Sequence, residues 1–219
     1  MDPIIFEIVD NLTLCSPMIL ALGILIGIVY YSRLEDVYRL LFLFLIMALI
    51  IDQASRYLGT YYGNNLILIP VYGLLELLIL SRLYFKFLNL VKSNIWYIPI
   101  GILVLYNFYE IVMFFNADPK DFNSHSRAFD SLALVIMSIV FFIKQIAAED
   151  PLKPRFLFLN TIIFVFHSLN AIFYLPLNFL INEDSDVKFH FWAASLILTL
   201  IFYSSITYSI WIHGKNRKR

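Results

Sequence analysis

The chain has 219 residues, of which 61% are hydrophobic and only 15% are charged, and its mean hydropathy is +0.79. A soluble domain of this length cannot bury so much apolar surface, so the composition favours a protein that lies almost wholly in a membrane. The 16 basic residues balance the 16 acidic residues, which leaves no electrostatic footprint for nucleic acid. A single cysteine, Cys15, excludes a disulfide within the chain.

Seven apolar segments follow one another, and each is long enough for a helix that crosses roughly 30 Å of hydrocarbon. They run approximately over 12–31, 37–60, 65–87, 95–115, 127–146, 155–181 and 189–213. The segments lack the strict alternation of barrel strands, and the breaks between them are short. We therefore predict an all-α, polytopic transmembrane bundle of seven helices that forms a single domain over 1–219. The first segment is predicted to be a retained helix, because no basic region precedes it.

The basic residues are distributed unequally between the two sides that seven crossings would create. One side holds Arg33, Arg39, Arg82, Lys86, Lys92, Lys144, Lys153, Arg155, Lys215, Arg217, Lys218 and Arg219. The other side holds Arg56, Lys120, Arg127 and Lys188. Because basic flanks are retained in the cytoplasm, this bias predicts an external N-terminus and a cytoplasmic C-terminus. We expect a multi-pass protein of the cell membrane, specifically the inner membrane of a bacterium.

Three stretches carry a resemblance to known proteins: Asn65 to Glu76 (NLILIPVYGLLE), Phe122 to Leu132 (FNSHSRAFDSL) and the closing Trp211. Together with the spacing of the apolar segments, they resemble a family of short, seven-span bacterial integral membrane proteins of uncharacterised function. The resemblance covers most of the chain and implies the seven-helix fold. It implies no activity, cofactor or set of site residues.

Ionisable side chains are costly inside a membrane, so each is a candidate for function or for a paired structural role. Most of those in the predicted spans fall in the outer half of the membrane, when depth is counted at about 1.5 Å per residue. The candidate ligand-binding residues are Asp52, Arg56, Tyr72, Glu76, Asn107, Glu110, Arg127, Asp130, His167 and Asn170. This asymmetry predicts a polar cavity among helices 2 to 6 that opens outward and is closed on the inner side by aliphatic and aromatic side chains.

Sequence spacing predicts which of these side chains share a helix face. Tyr72 and Glu76 are four residues apart, as are Asp52 and Arg56, whereas Asn107 and Glu110, and Arg127 and Asp130, are three apart. The Asp52–Arg56 and Arg127–Asp130 spacings each allow an ion pair within one helix. The sixth helix presents a polar stripe made of Asn160, His167, Asn170, Tyr174 and Asn178.

Glu76 has no basic residue near it at mid-depth in its own helix. Desolvation penalises a lone carboxylate, so Glu76 must be protonated or must pair across helices with His167 or an arginine. We predict that Glu76 and His167 belong to one polar site at mid-depth that is reached from outside. The alternative is that such residues only hold helices together, as polar contacts do in many membrane bundles.

Other chemistries have weak support in the sequence. A metal site made of Glu76, Glu110 and His167 would lack the Glu-x-x-His spacing that places two ligands on one helix face. No Ser-His-Asp or Cys-His set falls at one depth, so no catalytic residue is assigned. The last span contains no lysine for a retinal Schiff base, and the sequence indicates no cofactor. Gly23 and Gly27 form a small-residue face suited to close packing, within the chain or between subunits.

Three classes of function remain open. The first is a membrane-embedded sensor or ligand-binding module that takes a small-molecule or lipid ligand from outside and signals through a cytoplasmic partner protein. The second is a small transporter or channel, which would need polar residues through the inner half as well, where Asn160 is the main example. The third is an integral membrane enzyme that acts on lipid. We favour the binding module, which would act without catalysis and would have the lipid bilayer, but not nucleic acid, as a partner.

Overall fold

The computed structural model describes residues 3–87, 97–115, 124–147, 154–176 and 186–216, and these ranges contain helices but no strand. The helices are α1 Pro3–Tyr30, α2 Asp36–Tyr62, α3 Leu68–Arg82, α4 Tyr97–Phe114, α5 Ser126–Ile146, α6 Pro154–Tyr174 and α7 Asp186–Asn216. A 3₁₀ turn over Tyr31–Arg33 follows α1, and a π-helical turn over Leu83–Phe87 follows α3. Seven helical segments of the described residues are long and apolar enough to cross a membrane, the third of them being Leu68–Lys86, in which the π-helical turn extends α3. The prediction of seven spans is therefore confirmed by the length and composition of the helices.

The observed helix bounds differ from the predicted spans mainly at the first and sixth helices. α1 begins at Pro3 rather than near residue 12, because a proline fits the first turn of a helix and the next three residues, Ile4 to Phe6, are apolar. α6 ends at Tyr174, and the predicted continuation over 177–181 lies outside the described residues, as does the stripe residue Asn178. The third span ends in the π-helical turn instead of continuing as a regular α-helix to residue 87.

α4 illustrates why these helices suit a lipid environment. Its exposed side chains include Ile98, Ile102, Leu105, Phe108 and Val112, which recur every three or four residues along the helix. Such a row places one large apolar face outside the protein core. In water this exposed apolar face would favour aggregation, whereas in a bilayer it contacts acyl chains. The structure and the composition thus agree on a multi-pass membrane protein.

The chain divides into two compact units. Unit 1 comprises Met1–Ala54 with Phe179–Arg219, and unit 2 comprises Ser55–Asn178. Whether they work as one domain, as the sequence led us to predict, stays a prediction.

Unit 1 is built around close packing of α1 against α2 and α7. A Cβ atom at Gly23 would collide with Thr207 Oγ1 of α7, and one at Gly27 would collide with the ring of Phe42 on α2. The small-residue face of α1 therefore packs within the chain. Ser16 Oγ also donates to Asp52 Oδ1 at 3.1 Å, which ties α1 to α2 near the other end. These contacts make α1 antiparallel to α2.

A histidine joins α2 to α7 at the opposite end of unit 1. The His213 ring stacks on Tyr38 with 3.9 Å between centroids, and the backbone N–H of Glu35 donates to His213 Nε2 at 3.4 Å. Together with the edge-to-face contact of Phe44 and Phe202, this pairing makes α2 antiparallel to α7. The directions of α1, α2 and α7 thus agree with an alternating up-and-down chain.

Unit 2 contains α3 to α6, and its helices also alternate in direction. Asn107 of α4 contacts Asp130 of α5, while Glu110 contacts Ser126, so α4 and α5 are antiparallel. α5 and α6 are also antiparallel, because Arg127 contacts Tyr174 and Ser138 contacts Asn160. This arrangement brings the polar faces of four helices together.

The turn between α2 and α3 sets where α3 begins. Gly63 has a φ of 68° just after the end of α2, a conformation that favours glycine at a helix C-terminus. Asn64 Oδ1 accepts the N–H of Leu66 at 2.9 Å, and Asn65 Nδ2 donates to Ser55 Oγ at 2.8 Å. These bonds hold the turn against the last residues of α2.

Candidate functional site

The centre of unit 2 is an ion pair between Arg127 of α5 and Glu76 of α3. Both side chains are almost completely buried, and Arg127 Nη1 donates to Glu76 Oε2. The other carboxylate oxygen of Glu76 accepts the hydroxyl of Tyr72 at 3.3 Å. The guanidinium also faces the rings of Tyr72 and Tyr174, at 4.5 and 5.3 Å from their centroids. Of the two partners that the sequence allowed for Glu76, the structure shows an arginine.

Asp130 lies one helical turn further along α5 and contacts α4. Asn107 Nδ2 donates to both Asp130 carboxylate oxygens at 3.1 Å and to the backbone oxygen of Leu103 at 2.9 Å. Asn107 Oδ1 is buried and has no hydrogen-bond partner among the described residues. Arg127 still acts electrostatically on Asp130, but its hydrogen-bonded partner is Glu76. The spacing of Arg127 and Asp130 had suggested a pair within α5, whereas the observed ion pair joins α5 to α3.

Glu110 of α4 caps the first turn of α5. Its Oε1 accepts the backbone N–H groups of His125 and Ser126 at 2.8 and 2.9 Å, and its Oε2 accepts the hydroxyls of Ser124 and Ser126 at 2.8 and 2.6 Å. A carboxylate here satisfies amides that a helix start leaves unpaired and complements the helix dipole. The structural role of Glu110 is therefore clear: it anchors the start of α5.

α6 supplies His167 and Asn170, and both side chains are buried. The antiparallel register of α5 and α6 indicates which residue of α5 lies opposite His167. Ser138 of α5 contacts Asn160 of α6. Ser131 lies seven residues before Ser138 and His167 lies seven residues after Asn160, so these two residues lie at the same height along the helix pair. Arg127 acts electrostatically on His167, which links that ring to the Glu76 ion pair. The direct Glu76–His167 contact stays a prediction. Ser131 Oγ and Asn170 Oδ1 are buried without a hydrogen-bond partner among the described residues.

A second polar group, which we call the inner network after the predicted topology, lies in unit 2 further along α5 than Arg127 and Asp130. It consists of Tyr84, Ser138 and Asn160, all fully buried. The Tyr84 hydroxyl and the Ser138 hydroxyl both donate to Asn160 Oδ1, at 2.7 and 2.8 Å, and Asn160 Nδ2 donates to the backbone oxygen of Ser138 at 3.2 Å. Of these three residues, the sequence had indicated only Asn160 as a polar residue of the predicted inner half. Sequence reasoning missed Tyr84 because its hydroxyl points inward from the π-helical turn.

The predicted set of site residues separates between the two units. Eight of the residues, from Tyr72 to Asn170, belong to unit 2, where the buried groups described above meet. Asp52 belongs to unit 1 and accepts hydrogen bonds from Ser16 and Gln53. Arg56 belongs to unit 2, near the end of α2. The predicted Asp52–Arg56 ion pair stays a prediction.

We define the buried polar cluster as the buried residues Glu76, Asn107, Glu110, Arg127, Asp130, Ser131, His167 and Asn170, together with the half-buried Tyr72 and Tyr174. The cluster holds three carboxylates, those of Glu76, Glu110 and Asp130. Arg127 is the only buried Lys or Arg among the described residues, so the carboxylates outnumber the guanidinium. Glu76 has its ion pair and Glu110 has its four donors. Asp130 is the carboxylate with the weakest compensation. Such an excess is costly in a low-dielectric interior unless a ligand, a proton or water offsets it.

Gly73 allows α3 to approach this cluster, and its replacement tests the packing. A Cβ atom at Gly73 would lie 2.8 Å from Asp130 Oδ2 and 3.4 Å from Arg127 Cδ. We expect Gly73→Ala to lower the free energy of unfolding by about 1–3 kcal/mol, measured by thermal unfolding in detergent. Gly101→Ala is the matched control, because a Cβ there meets nothing within 4 Å. It should be neutral or stabilising, and equal losses in both variants would contradict the packing.

Comparisons with known proteins identify no family for this chain, so its class is defined by the fold and the site alone. No protein-family model matches the sequence, no curated protein is significantly similar to it, and no solved structure matches its fold. The resemblance to uncharacterised bacterial proteins therefore stays a prediction. The class defined by the observations is a multi-pass helical membrane protein with seven candidate spans and a buried, charged polar cluster in α3 to α6.

Proposed function

We propose that this protein is a membrane-embedded ligand-binding module of the sensor type, whose binding site is the buried polar cluster. The observation that carries the proposal is a set of buried oxygens in unit 2 that have no hydrogen-bond partner among the described residues, namely Asn107 Oδ1, Ser131 Oγ and Asn170 Oδ1. The same unit holds more buried carboxylates than buried cations among those residues. Polar contacts that only join helices normally satisfy each other. Unsatisfied buried oxygens in a bundle that also holds an excess of carboxylates favour a ligand that supplies the missing donors or positive charge.

The ligand enters, in this proposal, from the end at which α5 begins. The bias of basic residues places that end outside and the C-terminus in the cytoplasm. Glu110 holds the start of α5 in place, so binding at Arg127 or Asp130 would act directly on an anchored helix end. The signal would then pass to a protein partner through the cytoplasmic ends of the helices, in a bacterial inner membrane.

Cysteine accessibility tests this proposal directly. Cys15 is the single cysteine, so Cys15→Ser gives a background for Ser131→Cys and Ser138→Cys. Intact cells would be treated with a membrane-impermeant thiosulfonate reagent and the modified fraction measured by mass spectrometry. If the cluster opens outward, water reaches residue 131 more easily than residue 138, which lies deeper in the predicted topology. We therefore expect the reagent to modify Ser131→Cys from outside at least about tenfold faster than it modifies Ser138→Cys. Protection of both cysteines from both sides would overturn the proposal.

A transporter is the second candidate, and the inner network favours it. Buried polar groups on α5 extend from Ser126 to Ser138, a distance of about 18 Å along the helix at 1.5 Å per residue. A transport route needs polar groups through the inner half, and Tyr84, Ser138 and Asn160 supply some there. In inside-out vesicles, modification of Ser138→Cys from the cytoplasmic side would favour the transporter over the sensor.

A further inference from the structure

We infer that Asp130 is a proton-binding site, whose acid form donates its hydrogen to the amide oxygen of Asn107. The inference rests on the proposed function, because it concerns the same buried polar cluster and adds that the cluster holds a proton when its ligand is absent. It follows from three observations: the sparse compensation of the Asp130 charge, the position of the Asn107 amide, and the close packing of Gly73 against the carboxylate.

Asp130 is the carboxylate of the cluster whose charge is compensated least. It accepts hydrogen bonds from the neutral Asn107 amide and from no other group among the described residues. By contrast, Glu76 pairs with Arg127, and Glu110 accepts four hydrogen bonds at the start of α5. Arg127 favours a charged Asp130 electrostatically, but Glu76 and Glu110 oppose it. A full negative charge on Asp130 is therefore costly in this interior, and one proton removes it.

The Asn107 amide has an oxygen that lacks a donor. Its Nδ2 lies 3.1 Å from both Asp130 oxygens and 2.9 Å from the backbone oxygen of Leu103, so each of its two hydrogens has an acceptor. Its Oδ1 is buried and has no hydrogen-bond partner among the described residues. An ionised Asp130 cannot donate to that oxygen, whereas a protonated Asp130 can.

A carboxylic acid and a primary amide can form two hydrogen bonds side by side. The amide N–H donates to the carbonyl oxygen of the acid, and the acid O–H donates to the amide oxygen. Because Asn107 Nδ2 is equally distant from the two Asp130 oxygens, a small rotation of the amide brings Oδ1 opposite one oxygen while Nδ2 stays opposite the other. The second Nδ2 hydrogen keeps its bond to Leu103. One proton thus removes the buried charge and gives Asn107 Oδ1 its donor.

The packing of Gly73 explains why a proton fits where a larger cation does not. A Cβ atom at residue 73 would lie 2.8 Å from Asp130 Oδ2 and 3.4 Å from Arg127 Cδ, so α3 packs closely against the carboxylate. Asn107 Oδ1 lies 3.6 Å from the same point and belongs to the same close contact. A proton on the carboxylate needs no additional space, so it binds without separating α3 from α5.

The proton couples ligand binding in the cluster to pH. A ligand that donates to Asn107 Oδ1 and brings positive charge to Asp130 would replace the proton in both of its roles. Binding of such a ligand releases one proton, and by reciprocity a lower pH weakens binding of the ligand. In the proposed topology the proton is exchanged with the water outside.

The test is infrared spectroscopy of the full chain in lipid nanodiscs, because a protonated carboxyl and a carboxylate absorb at separate frequencies. Aspartate with an isotope-labelled side-chain carboxyl identifies the aspartate bands. Exposed aspartates titrate at about pH 4 and are ionised at neutral pH. We expect a band from a single protonated aspartate at neutral pH, and its loss when the pH is raised above about 9. Asp130→Asn should lack the band, whereas Asp52→Asn, a matched control in unit 1, should retain it.

The label separates Asp130 from the other charged groups of the cluster. Those that act on it are Glu76 on α3, Glu110 on α4 and Arg127 on α5, and His167 on α6 interacts with Arg127. None of these side chains carries the aspartate label. A labelled band that appears or disappears with pH therefore reports an aspartate and not a neighbour.

The labelled wild-type protein decides the protonation state even if Asp130→Asn does not fold. The role of Asn107 is tested by Asn107→Leu, which should shift the band to higher frequency because the acid loses its hydrogen-bond partner. Asn65→Leu, which alters the turn after α2, should leave the frequency unchanged. The inference is overturned if the wild-type protein has no protonated aspartate at neutral pH. A band that persists above about pH 9, survives Asp130→Asn or does not shift in Asn107→Leu would also overturn it.

Failure of this inference and failure of the proposed function give different results. If the band is absent but Ser131→Cys is modified from outside, the binding function survives and the proton site does not. If Ser131→Cys and Ser138→Cys are protected from both sides, the binding function fails whatever the infrared spectrum shows.

Discussion

Replacing Arg127 with methionine is expected to lower the free energy of unfolding by about 3–5 kcal/mol, because Glu76 then keeps a buried charge without its partner. Arg127 and Glu76 are both buried and directly hydrogen-bonded, so water cannot compensate the loss. The measurement is unfolding in detergent by heat and by added dodecyl sulfate. A Glu76→Gln, Arg127→Met double variant should recover much of the loss, since no unpaired charge remains at that contact.

The matched control is the exposed pair of Arg39 with Asp36. Its atoms are 3.3 Å apart, and the two side chains are 42% and 66% exposed. Solvent screening limits such a pair to about 1 kcal/mol or less, so Arg39→Met should have a small effect. If the double variant at Glu76 and Arg127 is no more stable than Arg127→Met alone, the buried pair is not what stabilises unit 2.

Replacing Glu110 with alanine is expected to cost about 3 kcal/mol or more, because it leaves buried hydrogen-bond donors unsatisfied at the start of α5. The donors are two backbone N–H groups and the hydroxyls of Ser124 and Ser126. Glu110→Gln should lose less, since it keeps one acceptor oxygen in place. Thermal unfolding measures the loss, and hydrogen exchange of the His125 and Ser126 amides should accelerate.

A mutant cycle distinguishes this cap from ordinary packing. Ser124→Ala with Ser126→Ala should destabilise the native protein but should have much less effect when Glu110 is already alanine, because the three side chains share one set of interactions. Additive losses would show that the serines act independently of Glu110 and would contradict the capping role.

The number and approximate extent of the helices could be predicted because apolar length is a local property of the sequence. The seven spans and the burial of Glu76, Asn107 and His167 follow from that pattern. Helical spacing also identified the faces that carry polar residues on α4 and α6. Such arguments describe one helix at a time.

The pairing between helices could not be predicted in the same way. Spacing placed Arg127 next to Asp130, yet the parallel packing of α3 and α5 directs the guanidinium to Glu76. Glu110 caps a helix other than its own, so no capping box within α5 announced it. Gly73 was missed because a glycine shows its role only when the neighbouring helix is known.

The central claim is that the buried polar cluster binds a ligand instead of merely joining helices. An experimental density map of the full chain in lipid nanodiscs tests it most directly. The account expects non-protein density inside the buried polar cluster that supplies donors to the unpaired oxygens of Asn107, Ser131 and Asn170. A map in which these oxygens pair with protein donors and no such density is present would contradict the claim.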